Sequence, residues 1–361
     1  MSLTATTESR QALSPRELSA LSQRIKEQAK HLGFEKVGIV PAASLSRERS
    51  QLLAWLERGY HGSMSWLARD PELRSDPRRL FPAARSVIVV GLNYYTPHKH
   101  NEDHEISTTN PLYLWERLGE GAQHRGWVSE ADAGTGKVSR YAWGDDYHDV
   151  VGAKLRSLLQ WIQEEIPEVE GKVCVDIQPM MDKAWAVRAG LGWLGKHTNV
   201  ITPEFGSWVF LGELLLNIEL DYETQFVADH CGTCTLCIDA CPTDAITEPY
   251  IVDSNKCISY ATIELREPEI PAAIADKLEG WFYGCDICQD VCPWNRFEQT
   301  TSEPRFQPRD GNVDASLADV VNMTHADYVE RFRGSAMKRA KLSGLQRNAR
   351  TLLENSIGRF D

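Results

Sequence analysis

The sequence predicts a mixed α/β (α+β) core, followed by a cysteine-rich module and a helical tail. Helix-like and strand-like segments alternate up to about residue 222, which indicates the core. Eight of the nine cysteines fall between residues 231 and 292, and the last segment keeps its apolar residues on one helical face. We therefore expect a loose tail at 1–13, a core at 14–222, a cysteine module at 223–300 and a helical tail at 301–361.

The clearest elements of the predicted core are its first helix and a buried strand. Ser14, Pro15 and Glu17 form the start of a helix with a capping box, and Gly33 ends it. The run "SVIVVGLNYY", residues 86–95, is apolar throughout and predicts a buried strand.

The rest of the chain predicts further elements in order. We expect a polar insertion at 97–137, a helix in "DYHDVVGAKLRSLLQWIQEEI", a strand in "KVCVDIQP", a helix in "DKAWAVRAG" that Gly190 ends, one or two strands in "SWVFLGELLLNIEL", and a linker in "TTSEPRFQPRDGN". In the tail, Leu345, Ala349, Leu352 and Ile357 share one helical face.

Composition indicates a cytoplasmic protein without a membrane segment. Apolar residues make up 42% of the chain and charged residues 25%, as in ordinary globular proteins. The longest strongly apolar stretch, 208–216, is too short to span a bilayer, and the first residues lack the apolar core of a secretion signal.

One basic segment stands out in an acidic chain. The formal net charge is −12, yet "RFRGSAMKRAKLSGLQRNAR", residues 331–350, contains seven basic residues and no acidic one. Such a run is either a solvated helix face or a surface that binds phosphates.

The cysteine spacing predicts two iron–sulfur clusters. The run "CGTCTLCIDACP" has the spacing C-x2-C-x2-C-x3-C-P, in which three thiolates bind one cluster and the fourth binds its neighbour. The run "CDICQDVCP" supplies three cysteines, and Cys257 is the nearby candidate for the missing one. Two complete sets result: Cys231, Cys234, Cys237 and Cys292 for cluster 1, and Cys257, Cys285, Cys288 and Cys241 for cluster 2.

The alternative is a pair of zinc sites, which usually take cysteines in C-x2-C pairs separated by a longer loop. Cys174 lies outside both runs, within an apolar strand, and we expect it to be a core residue.

Two other patterns do not predict a cofactor site. The segment "GLGWLGK", 190–196, resembles a nucleotide-binding loop, but Gly190 follows a helix and His197 stands where a P-loop has Ser or Thr. Its glycines still allow backbone to approach a ligand closely. The segment "DYHDVVG" differs by one residue from the D-x-H-x-x-G cobalamin motif, and the histidines of "PHKHNEDHE" lie in the polar insertion.

Several segments together resemble the epoxyqueuosine reductase family of tRNA-modifying enzymes. They include "SRYAWGDDYHDVV", "VDIQPMMDKAWAVRAGLGWLGKHTN", "FGSWVFLGELLL", "NKCISYATIE", both cysteine runs and the basic segment, and they cover most of residues 60–350 in order. The insertion at 97–137 is longer than the family pattern.

The resemblance implies a nitroreductase-like core that binds base-off cobalamin, a ferredoxin-like module with two [4Fe-4S] clusters, and a short HEAT-like tail. It implies that the protein acts as a monomer and reduces epoxyqueuosine to queuosine in the anticodon stem-loop of tRNA. A low-potential donor would supply the electrons. Asp176 matches the family's proton donor, which requires burial that raises its pKa. Candidate cobalamin contacts are Arg74, Asp176, Asn199, Ser207 and Asp286. Candidate tRNA contacts are Arg331, Arg333, Lys338, Arg339 and Arg347.

Two alternatives remain open at this point. A ferredoxin-type electron-transfer protein would not need the large core or Asp176. A dehalogenase-like cobalamin reductase of a small molecule would not need the basic segment.

Overall fold

The computed structural model describes residues 14–101, 134–223 and 226–357. A four-stranded, wholly antiparallel sheet forms the centre of the core. Its strands, in spatial order, are Lys36–Pro41, Ser86–Asn93, Val209–Leu216 and Gly171–Cys174. Because no strands of this sheet are parallel, the α+β description fits the core.

Helices cover both faces of this central sheet. On one face, Ile88 and Val90 pack with Ile25 of helix Pro15–His31 and with Leu155 of helix Tyr147–Glu165. On the other, Val87 and Val89 pack with Trp185 of helix Asp182–Arg188. Successive residues of the strand therefore enter opposite hydrophobic cores, which explains why "SVIVVGLNYY" is apolar without alternation.

The predicted elements of the core are confirmed with small differences at their ends. The first helix has the capping box of Ser14 and Glu17, with Pro15 in its first turn, and Gly33 beyond it has φ +92°. The expected one or two strands in "SWVFLGELLLNIEL" are one strand. Gly212 lets this strand lie against the long helix Tyr147–Glu165, since a Cβ there would come within 2.9 Å of Leu155 and Val151.

A small sheet joins the three predicted parts of the chain. Thr135–Val138 pairs in parallel with Trp281–Tyr283 of the cysteine module and antiparallel with Asp314–Ser316 of the tail. One hydrophobic core beneath it contains residues from Val138 to Leu353. The cysteine module and the tail therefore fold against each other.

The remaining elements are short, apart from the last helix. Hairpins join Trp193–Leu194 with Val200–Ile201 and Ile246–Glu248 with Ile251–Val252. Further helices are Ser46–Glu57, Pro71–Ser75, Pro77–Leu80, Leu236–Asp239, Ile258–Ile263, Ala272–Ala275, Ile287–Asp290, Leu317–Asn322, His325–Arg331 and Lys341–Ile357. None of the helices in the described ranges is long and apolar enough to cross a bilayer.

Two sequence predictions about loops need correction. The insertion predicted at 97–137 lies mostly outside the described residues, but its last part, from Thr135, belongs to the small sheet. The segment predicted as a linker is anchored: Phe306 is 4% exposed and packs on Phe210, and Glu303 binds both Arg305 and Lys154. Its polar composition is explained by these ion pairs rather than by exposure to solvent.

Candidate functional site

The first cysteine set lines a single cavity. Cys231, Cys234, Cys237 and Cys292 all face it. The loop from Cys231 turns at Gly232, which has φ +49°, and Cys237 lies on the short helix Leu236–Asp239. Cys292 comes from the second run, 55 residues or more along the chain from the other three. The spatial set is therefore the crosswise one that the spacing predicts for cluster 1.

The second cysteine set joins Cys241 of the first run, Cys285 and Cys288 of the second run, and Cys257. Burial raises the pKa of Cys288, and the nearby Cys257 and Cys241 raise it further. Burial also raises the pKa of Cys285, again with Cys288 and Cys257 close by. Four thiols brought together in this way are the donor set that an iron–sulfur cluster takes. All nine cysteines are free thiols, and Cys174 is buried in the central sheet as predicted.

Asp176 lies near the second cysteine set, because Lys183 interacts electrostatically with both Asp176 and Cys288. It follows the strand Gly171–Cys174 with φ 55°, a left-handed conformation that directs its carboxylate out of the strand. The Tyr147 hydroxyl donates a hydrogen bond to Asp176 Oδ2, and Nε2 of His148 lies 3.7 Å from the same oxygen. Both partners come from the first turn of the long helix Tyr147–Glu165.

The prediction that burial raises the pKa of Asp176 is wrong. The side chain is 61% exposed, and hydrogen bonding from His148 lowers its pKa, with Tyr147 adding to the effect against some desolvation. Burial disfavours the charge on His148, yet its hydrogen bonds with Asp146 and Asp176 raise the pKa of His148 to about 9. At neutral pH the proton of this pair therefore resides on the imidazole.

Two predicted cobalamin contacts share the surroundings of Asp176. Arg74 is half-buried; burial lowers its pKa, while the nearby Asp182 and Asp176 oppose that shift. Asn199 accepts a hydrogen bond from Lys183 Nζ at 2.8 Å, and Lys183 interacts electrostatically with Asp176 and with Cys288. Beside Asp176, Ile177 exposes 74% of its surface. The surface around Asp176 thus combines fixed charges with an exposed apolar side chain, which suits a large amphipathic cofactor.

The other two predicted cobalamin contacts are not available to a ligand. Ser207 is 4% exposed and is bound by Asn295 and Gln289. Asp286 is 3% exposed and accepts hydrogen bonds from the Ser139 hydroxyl and the Arg140 backbone. Both residues instead connect the cysteine module to the core, and their assignment as cofactor contacts is corrected accordingly.

The predicted tRNA contacts divide into exposed and buried residues. Arg333, Lys338 and Arg339 are exposed and Arg331 is partly so. Arg339 forms a bidentate pair with Glu264 and lies over the Trp66 ring. Arg347 is only 7% exposed.

The assignment of Arg347 to tRNA is therefore wrong. Its guanidinium donates to the backbone carbonyls of Ala261, Leu265 and Glu267, which satisfies the end of a helix in the cysteine module.

Sequence reasoning missed three groups of this site. Tyr147, His148 and Lys183 all approach Asp176, and the quoted segments "DYHDVVG" and "DKAWAVRAG" contain them. A polar Tyr-His pair in the first turn of an otherwise amphipathic helix was the available signal. The segment "GLGWLGK" was placed correctly after a helix, and Lys196 and His197 at its end line the cavity of the first cysteine set.

Comparisons with known proteins agree with this geometry. Residues 74–177 match the family described as "Epoxyqueuosine reductase QueG, DUF1730", and residues 230–295 match the 4Fe-4S double cluster binding domain. The epoxyqueuosine reductase of Synechocystis is 46% identical over 88% of this chain and 100% of its own length. That of Cellulophaga algicola is 43% identical over 91% of this chain and 96% of its own.

Solved structures are similar over nearly the whole chain. An epoxyqueuosine reductase crystallised with an epoxyqueuosine-modified tRNA-Tyr stem loop has a TM-score of 0.80 at 28% identity, covering 93% of this chain and 82% of its own. The Bacillus subtilis enzyme, solved with its catalytic aspartate loop swung out of the active site, has a TM-score of 0.79 at 28% identity and the same coverage. The chain belongs to the epoxyqueuosine reductase family.

Proposed function

We propose that this chain reduces epoxyqueuosine to queuosine at the wobble position of tRNA. The observation that carries the proposal is the grouping of Asp176 with Tyr147, His148 and Lys183, since Lys183 also interacts with Cys288 of the second cysteine set. The overall change takes two electrons and two protons: the epoxide loses its oxygen as water, and a carbon–carbon double bond forms. The site must therefore supply electrons from one side and protons from the other.

The cysteine sets would hold two [4Fe-4S] clusters, and Arg74, Asp176 and Asn199 would contact base-off cobalamin. When bound, the clusters supply electrons one at a time and the cobalamin supplies a reactive low-valent cobalt. Lys183, which interacts with both Cys288 and Asp176, marks the side where the second cysteine set and Asp176 meet.

Asp176 is the proposed proton donor to the departing oxygen. Because its pKa is lowered, it needs a source of protons, and His148 holds one within 3.7 Å. Exclusion of water by bound ligands disfavours the carboxylate charge and so favours transfer of that proton to Asp176. Tyr147 orients the carboxylate through its hydrogen bond.

The exposed basic residues near residue 338 are the proposed tRNA surface. Arg331, Arg333, Lys338 and Arg339 would contact phosphates. That the substrate is a tRNA is supported by the related enzyme crystallised with a tRNA stem loop. We infer that the enzyme is a cytoplasmic monomer and receives electrons from a low-potential donor. The nitroreductase-like description of the core and the HEAT-like description of the tail also remain proposals.

Mass spectrometry of tRNA nucleosides tests the function. Protein prepared without oxygen is incubated with cobalamin, a reductant and tRNA that contains epoxyqueuosine. Wild type should produce queuosine, and Asp176→Asn should lose about 100-fold or more of the turnover. The exposed Asp276→Asn serves as the matched control and should keep full activity. Wild-type turnover in Asp176→Asn, or turnover without cobalamin, would contradict the proposal.

A further inference from the structure

The glycine-rich segment 190–199 forms a wall of the first cysteine cavity. Lys196 and His197 line this cavity together with the four thiols. Lys196 Nζ donates to the backbone carbonyls of Gly232, at 2.7 Å, and Cys234, at 2.9 Å, and so attaches the segment to the cysteine loop. Gly195 makes room for the imidazole, because a Cβ there would come within 2.9 Å of His197 Cε1.

His197 has a defined tautomer and an unused donor. The backbone N–H of Asn199 donates to His197 Nδ1 at 3.1 Å, so Nδ1 carries a lone pair and the proton is on Nε2. The residue is 3% exposed, and Nε2 is buried without a hydrogen-bond partner in the described part of the protein. Buried N–H groups without a partner are rare, and each one calls for an explanation.

Trp193 presents a second unused donor in the same place. It is 1% exposed and packs with Cys231 and Cys292 in one small apolar cluster. Its ring meets the edge of Trp294, which lines the cavity, at a centroid distance of 4.8 Å. The indole Nε1–H is also buried and makes no hydrogen bond of normal geometry within residues 14–101, 134–223 and 226–357. Burial raises the pKa of the Cys231 thiol, and the indole lies close enough to that thiol to oppose this rise.

We propose that Trp193 Nε1–H and His197 Nε2–H donate hydrogen bonds to sulfur atoms of the cluster that the first cysteine set holds, and thereby raise its reduction potential. This inference rests on the cluster assignment made under the proposed function. Hydrogen bonds to sulfur stabilise the added negative charge of the reduced cluster and are a recognised determinant of its potential.

The position of the first cluster explains why a raised reduction potential would be useful there. The second cysteine set adjoins Lys183 and Asp176, where the proposed reaction takes place, which leaves the first set as the proposed point of entry for electrons. A raised potential makes that first reduction easier. The segment that resembles a nucleotide-binding loop would thus serve the cluster, with its glycines bringing two N–H donors close to sulfur.

Redox titration followed by EPR spectroscopy tests the proposal. Trp193→Phe removes only the indole donor, and His197→Leu removes the imidazole donor. We expect the two changes together to shift the reduction equilibrium of one cluster at least tenfold towards the oxidised form, which is 59 mV for one electron. The other cluster is an internal control, and its reduction potential should not change. Trp161→Phe on the long helix is a control for the tryptophan change and should leave both potentials as in wild type.

Two further measurements guard against a variant that fails to fold. His197→Gln keeps an acceptor and an N–H donor, and should retain most of the wild-type potential. In wild-type protein labelled with ¹⁵N-histidine, pulsed EPR should detect a weak nitrogen coupling to the reduced cluster, and this coupling should be lost in His197→Gln, which carries no labelled imidazole there.

The outcomes separate this inference from the proposed function. Unchanged potentials in variants that hold about eight irons, an equal shift of both clusters, or no nitrogen coupling in wild type would overturn the tuning role and leave the enzyme assignment standing. Wild-type protein with about four irons would overturn the cluster assignment itself, and the tuning role with it.

Discussion

The two cysteine sets share their chemistry but not their surroundings. The first set lies among aromatic rings, with Trp193, His230 and Trp294 in mutual edge contacts around its cavity. The second lies among charged groups, next to Lys183 and Asp286 and close to Asp176. An apolar, donor-lined end is suited to receiving electrons, and a charged end is suited to coupling electrons with protons.

Substitution of Cys292 should have the largest effect and tests whether the two cysteine sets are distinct. Although Cys292 belongs to the second run of the sequence, it lines the first cavity. We expect Cys292→Ala to abolish turnover and to remove the same EPR signal that Cys231→Ala removes, while Cys285→Ala removes the other signal. Cys174→Ala, which changes a thiol outside both sets, should keep about eight irons. Matching signals in Cys292→Ala and Cys285→Ala would contradict the crosswise arrangement.

His148 provides the next largest expected effect, at the charged end. Its pKa is raised to about 9 by Asp146 and Asp176, so it holds a proton throughout the neutral range and loses it as the pH rises through that value. The rate of queuosine formation should therefore fall above about pH 9. His148→Gln should lower the rate about 100-fold and remove this alkaline decline.

The matched control for that experiment is His325→Gln, a histidine on the exposed face of helix His325–Arg331. It should leave both the rate and its pH profile unchanged. A His148→Gln profile that still declines at the wild-type pH would show that another group supplies the proton.

The features that sequence predicted well are those encoded locally. Successive x2 spacings in the first run place three thiolates around one cluster whatever the rest of the fold does, so both cysteine sets could be written down from the two runs together with Cys257. The capping box of Ser14 and Glu17 is equally local, and the structure contains it.

The features that sequence predicted poorly depend on tertiary contacts. The apolar residues before Asp176 indicated burial, but its left-handed backbone directs the carboxylate outward. Arg347 belongs to a basic run, yet its side chain on the last helix donates hydrogen bonds to three backbone carbonyls of another segment. Ser207 and Asp286 bind partners from distant parts of the chain, which spacing along the sequence does not reveal.

Arg333 and Arg347 form a natural pair for testing the tRNA surface. Arg333→Ala should keep the fold and weaken tRNA binding, with a log–log salt slope about one unit shallower than that of wild type. Arg347→Ala should instead lower the melting temperature, because it leaves buried carbonyls without donors. Filter binding of tRNA between low and physiological salt, together with thermal melting, distinguishes the two. An Arg347→Ala protein that melts as wild type but binds tRNA poorly would restore the original prediction.

Substitution of Glu213 should have the smallest effect, which is a change in the stability of the protein with pH. Glu213 is fully buried in the central sheet, and its carboxyl group lies within hydrogen-bonding reach of the Asp182 carboxyl group. Burial raises its pKa, and the nearby Asp182 raises it further. Because the folded-state pKa lies above the unfolded value, the protein should be most stable below about pH 4.5 with respect to this group and lose stability as the pH rises towards the folded value.

Glu213→Gln removes that charge and should flatten the decline. Because burial raises the folded-state pKa of Glu213, the variant should gain stability relative to wild type as the pH rises from 5 to 8. Thermal melting of the cluster-loaded protein across this range measures the difference, with the exposed Glu219→Gln as control. A variant that is destabilised equally at every pH would mean that Glu213 stabilises the sheet through packing, and that the charged end tolerates its buried carboxylate without cost.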